Sequence, residues 1–394
     1  MQGFTAYSFM GDSTTPGYGA GFWEIGREDL RDWVRRRGAR AYARHGLLKP
    51  PGGSGKLIWI KAGATRESVL VAADLARAIR SKRLDVRLAL TFERDYPRVL
   101  RERLRGLAKA GLGYGPCDAP RVVERVLDRF APLGVIVVRH ALPKNLMRAI
   151  KKRGLHSVAV NVEPSALPLE TVYPVTRDEV VAWRERNKGF IAAPADLLTL
   201  LVEAQVEPNF RAAASGGEGG MWWFQTRRWS QAMEMIEAWR TWGAPADLLF
   251  VGNGDAQWRA AASRGLGASL YLWDRQRFPA GSIVFVDDRK WLPALTASCD
   301  ATYLASPTDL EFWQAVAGGS VVSAAPGALF ERSDAAGLID RVPTIGELLG
   351  RWRYYARDVG ARRRRADALR RFFWEERRRA ADVADDLLNR IYEW

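Results

Sequence analysis

Short apolar runs rich in Val, Ile and Leu alternate with stretches of helical periodicity, and the whole series occurs twice. In the first series the runs are Leu57 to Lys61, Val86 to Thr91, Val135 to Val138 and Ser157 to Val162. Helical segments lie between or beside them at Glu67 to Arg80, Tyr96 to Lys109, Arg121 to Phe130 and Lys144 to Arg153. Runs of this kind suit strands buried on both faces, and helical crossovers between them force the strands to be parallel. The second series has strands at Trp222 to Gln225, Leu248 to Val251, Ser269 to Trp273, Ile283 to Val286, Ala301 to Leu304 and Ser320 to Ser323. Its helices are Ser230 to Trp242, Leu292 to Ser298 and Leu310 to Val316. The small residues of Ala212 to Gly220 read as a linker between the two series. The predicted fold class is α/β, with two Rossmann-like domains facing a cleft, where ligands meet the carboxyl ends of the strands.

The expected organisation is an N-terminal helical segment over 1–55, a first domain over 56–211, a linker over 212–220, a shortened second domain over 221–350, and a basic, aromatic C-terminal helix over 351–394. Two domains agree with a chain of 394 residues that is 47% hydrophobic, since one core rarely grows that large. In the first segment, Leu30, Trp33, Val34 and Tyr42 among many arginines suit an amphipathic helix broken near Gly38. A helical, polar stretch is expected over Arg177 to Phe210. The C-terminal helix has two readings: it lies on an anionic membrane, or it packs its apolar face back on the first domain and leaves its arginines solvated.

Lys and Arg number 60 against 45 Asp and Glu, a net charge of +15 that points to anionic company: a sugar nucleotide, a phosphorylated lipid, a membrane surface or nucleic acid. A GC-rich genome, which inflates Arg and Ala, would give the same excess. No RNA- or DNA-binding signature accompanies it, so nucleic acid is not an expected partner. Cys117 and Cys299 stand alone, which offers neither a disulfide framework nor a zinc site, and no metal or cofactor is expected. Of the three histidines, His156 precedes a strand and reads as structural. Neither an export signal nor a membrane-spanning run is expected, which places the protein in the cytoplasm.

Leu57-Ile-Trp-Ile-Lys-Ala-Gly-Ala-Thr-Arg-Glu67 resembles the strand-to-helix signature of the Kdo (3-deoxy-D-manno-octulosonate) transferases, an apolar strand followed by His-Ala-x-Ser-x-Gly-Glu. Further segments follow in the family's order. Tyr114-Gly-Pro-Cys-Asp-Ala-Pro120 is similar to Tyr-x-Pro-x-Asp-x-Pro, and Asn145-Leu146, Val160-Asn161 and Ser165 to its Pro-Asn-Leu and Val-Asn-Ala-Arg-x-Ser elements. Phe224-Gln225-Thr226, Gly243-Ala244, Val251-Gly252-Asn253, Asp287, Leu292, Asp300 and Leu310-Glu311 keep register in the second half. The resemblance implies the GT-B glycosyltransferase fold and transfer of Kdo, or a related acidic sugar, from a CMP-sugar donor to a phosphorylated, lipid A-type acceptor. It implies Glu67 as catalytic base, since a weakly nucleophilic hydroxyl needs a positioned proton acceptor. Lys61 and Arg66 would hold acceptor phosphates or the sugar carboxylate. Asn161, Gly252, Asn253 and Glu311 complete the substrate-binding set, Glu311 by accepting from ribose hydroxyls or merely by favouring a helix start. Peripheral contact with an anionic membrane would come from exposed basic and aromatic surface, at Gly26 to Arg44 and Arg351 to Trp374.

The departures fall on chemistry-bearing positions. The family's strand-end His is Lys61, the Gly before its catalytic Glu is Arg66, and its Glu-Thr-Glu is Arg139-His140-Ala141. Its Thr-rich acceptor loop is Thr91-Phe-Glu-Arg-Asp95, and its glycine-rich donor loop is replaced by Ala305-Ser306-Pro307-Thr308-Asp309. Such a loop offers backbone N–H groups to phosphate. A second reading is therefore a non-catalytic paralogue that serves as a binding or scaffold protein in envelope biosynthesis.

Overall fold

The computed structural model describes residues 16–19, 21–203, 210–216, 219–242, 246–253, 270–272, 277–326 and 337–394. The chain divides into two compact units, residues 1–201 with 378–394, and residues 202–377.

In the first unit the strands are β1 Leu57–Ala62, β2 Arg87–Phe92, β3 Ala110–Tyr114, β4 Pro132–Val138, β5 His156–Val160, β6 Thr171–Tyr173 and β7 Phe190–Ile191. They form one parallel sheet in the order β3-β2-β1-β4-β5-β6-β7. The helices are α1 Phe22–Val34, α2 Gly38–Arg44, α3 Arg66–Lys82, α4 Pro97–Leu104, α5 Pro120–Phe130, α6 Lys144–Arg153 and α7 Arg177–Arg186. Strand β1 is buried throughout, as its near-continuous apolar sequence requires, and α5 turns Val122, Val123, Val126, Leu127 and Phe130 inward from one face. Connections run outward from β1 to β3 and then return to β4. The order thus reverses between β1 and β4, and that reversal opens a crevice at their carboxyl ends.

The sequence reading runs one helix through Lys109, whereas α4 stops at Leu104 and the glycine-rich Ala110–Tyr114 forms edge strand β3. Glycines carry no apolar side chain, so the strand leaves no trace in a hydrophobic pattern. Similarly, the expected helix over Arg177 to Phe210 is broken into α-helix at Arg177–Arg186, strand β7 and a 3-10 turn at Leu197–Leu201, and residues 204–209 lie outside the described residues.

Strands β8 Met221–Gln225, β9 Leu248–Gly252, β10 Leu270–Leu272, β11 Ile283–Val286, β12 Ala301–Leu304, β13 Val321–Ala324 and β14 Asp340–Arg341 form the parallel sheet of the second unit, ordered β10-β11-β9-β8-β12-β13-β14. Around it lie α8 Phe210–Ser215, α9 Trp229–Trp242, α10 Leu292–Ser298, α11 Asp309–Gly318, α12 Ile345–Arg357 and α13 Val359–Tyr392. Tryptophan dominates this core: the Trp222 and Trp352 rings stack with centroids 5.3 Å apart, beside Trp239. Ala212–Ser215, read from sequence as linker, is the second half of α8, whose Phe210 and Ala214 are buried in the core. Two of the remaining linker residues, 217–218, and the Gly243-Ala244 pair of the second series lie outside the described residues.

The C-terminal helix packs. Ala366, Leu369 and Phe373 of α13 are buried within the second unit, and Ala380, Val383, Leu387 and Ile391 within the first, a single stripe at helical spacing. Arg362 pairs with Asp300 at 3.1 Å and Arg365 with Asp340 at 3.2 Å. In the first unit, Arg83 donates to the carbonyls of Ile391 and Tyr392, where the helix leaves acceptors unpaired.

Helix α1 turns its large apolar side chains outward, as expected for the exposed surface at Gly26 to Arg44. Leu30, Trp33, Val34 and Tyr42 are all exposed, Trp33 at 75%, together with Phe22 and Trp23. The inward face carries Ile25, Glu28 and Asp32 instead. The cause is Arg44 on α2, which is fully buried and holds the carboxylates of Asp29 and Asp32, while His45 bonds Asp29 at 2.6 Å. A buried guanidinium demands acids around it, and they take the inner face. Leaving the large apolar side chains in water forgoes roughly 1.5–3 kcal/mol each. We predict that Arg44→Met, which strands buried carboxylates, lowers unfolding free energy by about 3 kcal/mol or more in urea denaturation. Trp33→Ser should leave it within about 0.5 kcal/mol; the reverse ranking would refute this account of α1.

Candidate active site in the first unit

Three neighbouring strands deliver ionisable side chains to one point. Lys61 is next to last in β1, Glu93 follows the end of β2, and His140 lies two residues beyond β4. Parallel register fixes their height, since Lys61 pairs with Thr91 on one side and Val137 on the other. The Lys61 Nζ lies 3.2 Å from Glu93 Oε1, and His140 Nε2 lies 2.9 Å from the same oxygen. Both Lys61 and Glu93 are buried, Glu93 to 1% exposure. Beneath them, Trp59 Nε1 donates to Thr91 Oγ1 at 2.8 Å.

These three residues line a cavity of about 470 Å³, with Tyr18, Asp118, Lys144 and Arg148 among its other walls. Its size falls within the range of small-molecule sites, roughly 300–1,000 Å³. Asp118 ties two distant segments together: its carboxylate accepts from the backbone N–H of Asn145 and of Leu146, both at 2.9 Å, and its carbonyl accepts from Asn145 Nδ2. Thus the Tyr114–Pro120 and Asn145-Leu146 motifs form one physical unit, an acid holding the first turn of α6. Burial raises the Asp118 carboxyl above its usual range, with the two N–H donors, Lys61 and His140 opposing. Tyr18 is buried under the Arg40 and Arg44 guanidinium groups, and burial pushes its hydroxyl up to about 12 against the pull of Arg40.

The structure separates the residues expected from sequence. Lys61 is at the site. Glu67 is in the first turn of α3, half-buried and without a hydrogen bond or ion pair to any described residue, and it is not part of the cavity wall; Arg66 precedes it, also half-buried. Asn161, at φ 52°, has its side chain committed to the backbone: Nδ2 donates to Ala195 O at 2.8 Å and Oδ1 accepts from Leu197 N at 3.1 Å. In the second unit, Gly252 and Asn253 end β9. Asn253 is buried, and its Oδ1 accepts no hydrogen bond from any described residue. Glu311 closes a capping box with Thr308 at the start of α11 and also accepts from Gln225 and Arg227, at 3.2 and 3.0 Å. That geometry is the helix-start role, and ribose binding by Glu311 rests on the resemblance alone. Glu93 and His140 went unassigned because they stand where the family has other residues. Their position just after the two strands that neighbour β1, beside the order reversal, was the available signal.

Residues 36–167 match the family of 3-deoxy-D-manno-octulosonic-acid transferases (kdotransferases) in its N-terminal glycosyltransferase domain. The match is confined to this stretch of the first unit. It contains Lys61, Glu67, Glu93, Asp118, His140 and Asn161. Solved structures agree over both units. UDP-N-acetylglucosamine 2-epimerase from Neisseria meningitidis, bound to UDP-GlcNAc, superposes with a TM-score of 0.55 at 11% identity, covering 85% of this chain and 100% of that one. Sucrose-phosphate synthase from Thermosynechococcus elongatus gives 0.52 at 12%, covering 86% and 99%. An Anabaena protein in complex with UDP gives 0.55 at 12%, covering 84% and 100%. No curated protein matches in sequence. The fold is GT-B, and its first unit carries the similarity to the Kdo transferase family.

A buried Lys–Glu pair sets up a clear mutational test. Lys61→Met should cost about 3 kcal/mol or more, because it removes the ammonium partner of the buried Glu93 and leaves the His140 contact. Lys61→Met with Glu93→Gln should recover most of that loss. Additive costs in thermal or urea unfolding would show that the two are not coupled.

Proposed function

We propose that this protein transfers Kdo or a related acidic sugar from a CMP-sugar to a phosphorylated, lipid A-type acceptor, a step of lipopolysaccharide biosynthesis at the inner face of the cytoplasmic membrane. The observation that carries this reading is the match of residues 36–167 to the Kdo transferase family, with Glu67 kept at the start of the helix that follows β1. In this reading Glu67 takes the proton of the acceptor hydroxyl while that oxygen attacks the anomeric carbon and CMP departs. Its carboxylate is not engaged by any described residue, which suits a group waiting for substrate. Arg66 stands next to it to meet an acceptor phosphate or the sugar carboxylate; Lys61 reaches that role only through its bond to Glu93. On the donor side, Gly252 and Asn253 end a strand where GT-B nucleotides bind, and Asn253 keeps an unused acceptor.

Membrane contact belongs to α1. No helix among the described residues is long and apolar enough to cross a bilayer. Exposed Phe22, Trp23, Leu30 and Trp33 share α1 with exposed Arg27 and Arg31, and Arg35, Arg36 and Arg37 follow directly. Aromatic and basic side chains together suit the headgroup layer of an anionic leaflet. The packed α13 takes no part in this reading.

The scaffold reading is favoured by one observation, the commitment of the Asn161 and Glu311 side chains to the fold. Calorimetric titration separates the two. Heat is expected with CMP and CMP-Kdo and not with UDP-GlcNAc; silence with all three makes the protein a scaffold. Glu67→Gln should leave donor affinity unchanged and cut transfer by ~100-fold or more, and transfer insensitive to that change removes the proposed base. Sedimentation with anionic vesicles should weaken as salt rises and fail for Trp23→Ser/Trp33→Ser; equal binding to neutral vesicles would count against the α1 assignment.

A further inference from the structure

The cavity of the first unit has two kinds of wall. Deep in it, Lys61 and His140 share one oxygen of Glu93, and Asp118 is held by backbone N–H groups. Cations and carboxylates there compensate one another, so a further net charge would gain little at that depth. Donors and acceptors side by side are what such a wall offers. Tyr18 adds to them: it is 4% exposed, and its hydroxyl faces the Arg40 guanidinium and lines the cavity. A ligand hydroxyl, which donates and accepts at once, satisfies a mixed set of this kind.

The outer wall is cationic. Lys144 and Arg148 stand one turn apart on α6, both exposed, and neither forms an ion pair with a described residue. Glu24, the remaining acid of the lining, accepts from the backbone N–H of Gly17 at 3.0 Å. Two unpaired cations at an opening suit a phosphate, which a guanidinium and an ammonium bind through charge-assisted hydrogen bonds.

We propose that this cavity binds a phosphorylated sugar, its ring hydroxyls toward Glu93, Lys61 and Tyr18 and its phosphate toward Lys144 and Arg148. That the bound sugar is the transfer acceptor rests on the transferase reading, whereas binding itself follows from the lining alone. The division of labour also accounts for a departure from the family: a buried Lys–Glu–His group takes hydroxyls, and the charge-binding task moves outward to α6.

The test is calorimetric or NMR titration of the full chain with glucose 6-phosphate, glucose and inorganic phosphate, without donor. Glucose 6-phosphate should bind at least about 10-fold more tightly than either fragment. Lys144→Ala/Arg148→Ala, both at exposed positions, should bring its affinity down to that of glucose with unchanged thermal unfolding. Tyr18→Phe should weaken sugar and sugar phosphate alike. Equal affinity for inorganic phosphate and glucose 6-phosphate, no saturation by any of the three at millimolar concentration, or indifference to the double substitution would each overturn the proposal. Failure here with CMP-Kdo still bound removes only the pocket; success here with CMP-Kdo unbound removes only the transferase reading.

Discussion

Parallel strands cannot be joined by tight turns; each must be followed by a crossover that returns the chain to the starting edge. That constraint organises both units, because every strand in either sheet then ends on the same edge. In the first unit it places Lys61, Glu93 and His140, which are separated by long stretches of sequence, at adjacent strand ends. The reversal of order between β1 and β4 supplies the space that the three side chains enter. Had the same residues been carried on antiparallel strands, successive ones would have emerged at opposite edges.

Holding that space open requires the Asp118 linkage and the N-terminal ion network to act together. Asp118 fixes the start of α6, and the backbone N–H of Asp118 donates to the carbonyl of Tyr18 while that of Cys117 donates to Arg44. The Arg44 guanidinium in turn lies over the Tyr18 ring and gathers Asp29 and Asp32. Burying these charges exacts a desolvation penalty, offset only while every partner is present. The same network decides which face of α1 looks outward, so the wall of the cavity and the apolar surface of α1 have one physical origin.

Much of this was legible in the amino-acid order. The double βα series and both parallel sheets follow from apolar runs short enough to be strands and helical stretches long enough to cross over, and the GT-B fold was what the family resemblance implied. Lys61 and Glu67 were marked by the strand-to-helix segment that contains them. Strand β3 escaped notice because its glycines hide it. Short β6 and β7 escaped because two or three residues make no period.

What the sequence by itself determined is the set of elements, the parallel direction of the strands and the family that the first domain resembles, since these depend on local periodicity and collinear motifs. Only tertiary structure decided how side chains are spent. Asn161 and Glu311 carry donors and acceptors that could serve a ligand, yet backbone groups brought close by folding satisfy them first. Glu93 and His140, with no motif to mark them, meet Lys61 because register sets their height. The face of α1 was decided in the same way. An apolar stripe states that a helix has two sides, but a buried arginine from another helix, Arg44, determines which side turns inward, because the cost of an unpaired buried charge exceeds that of an exposed tryptophan.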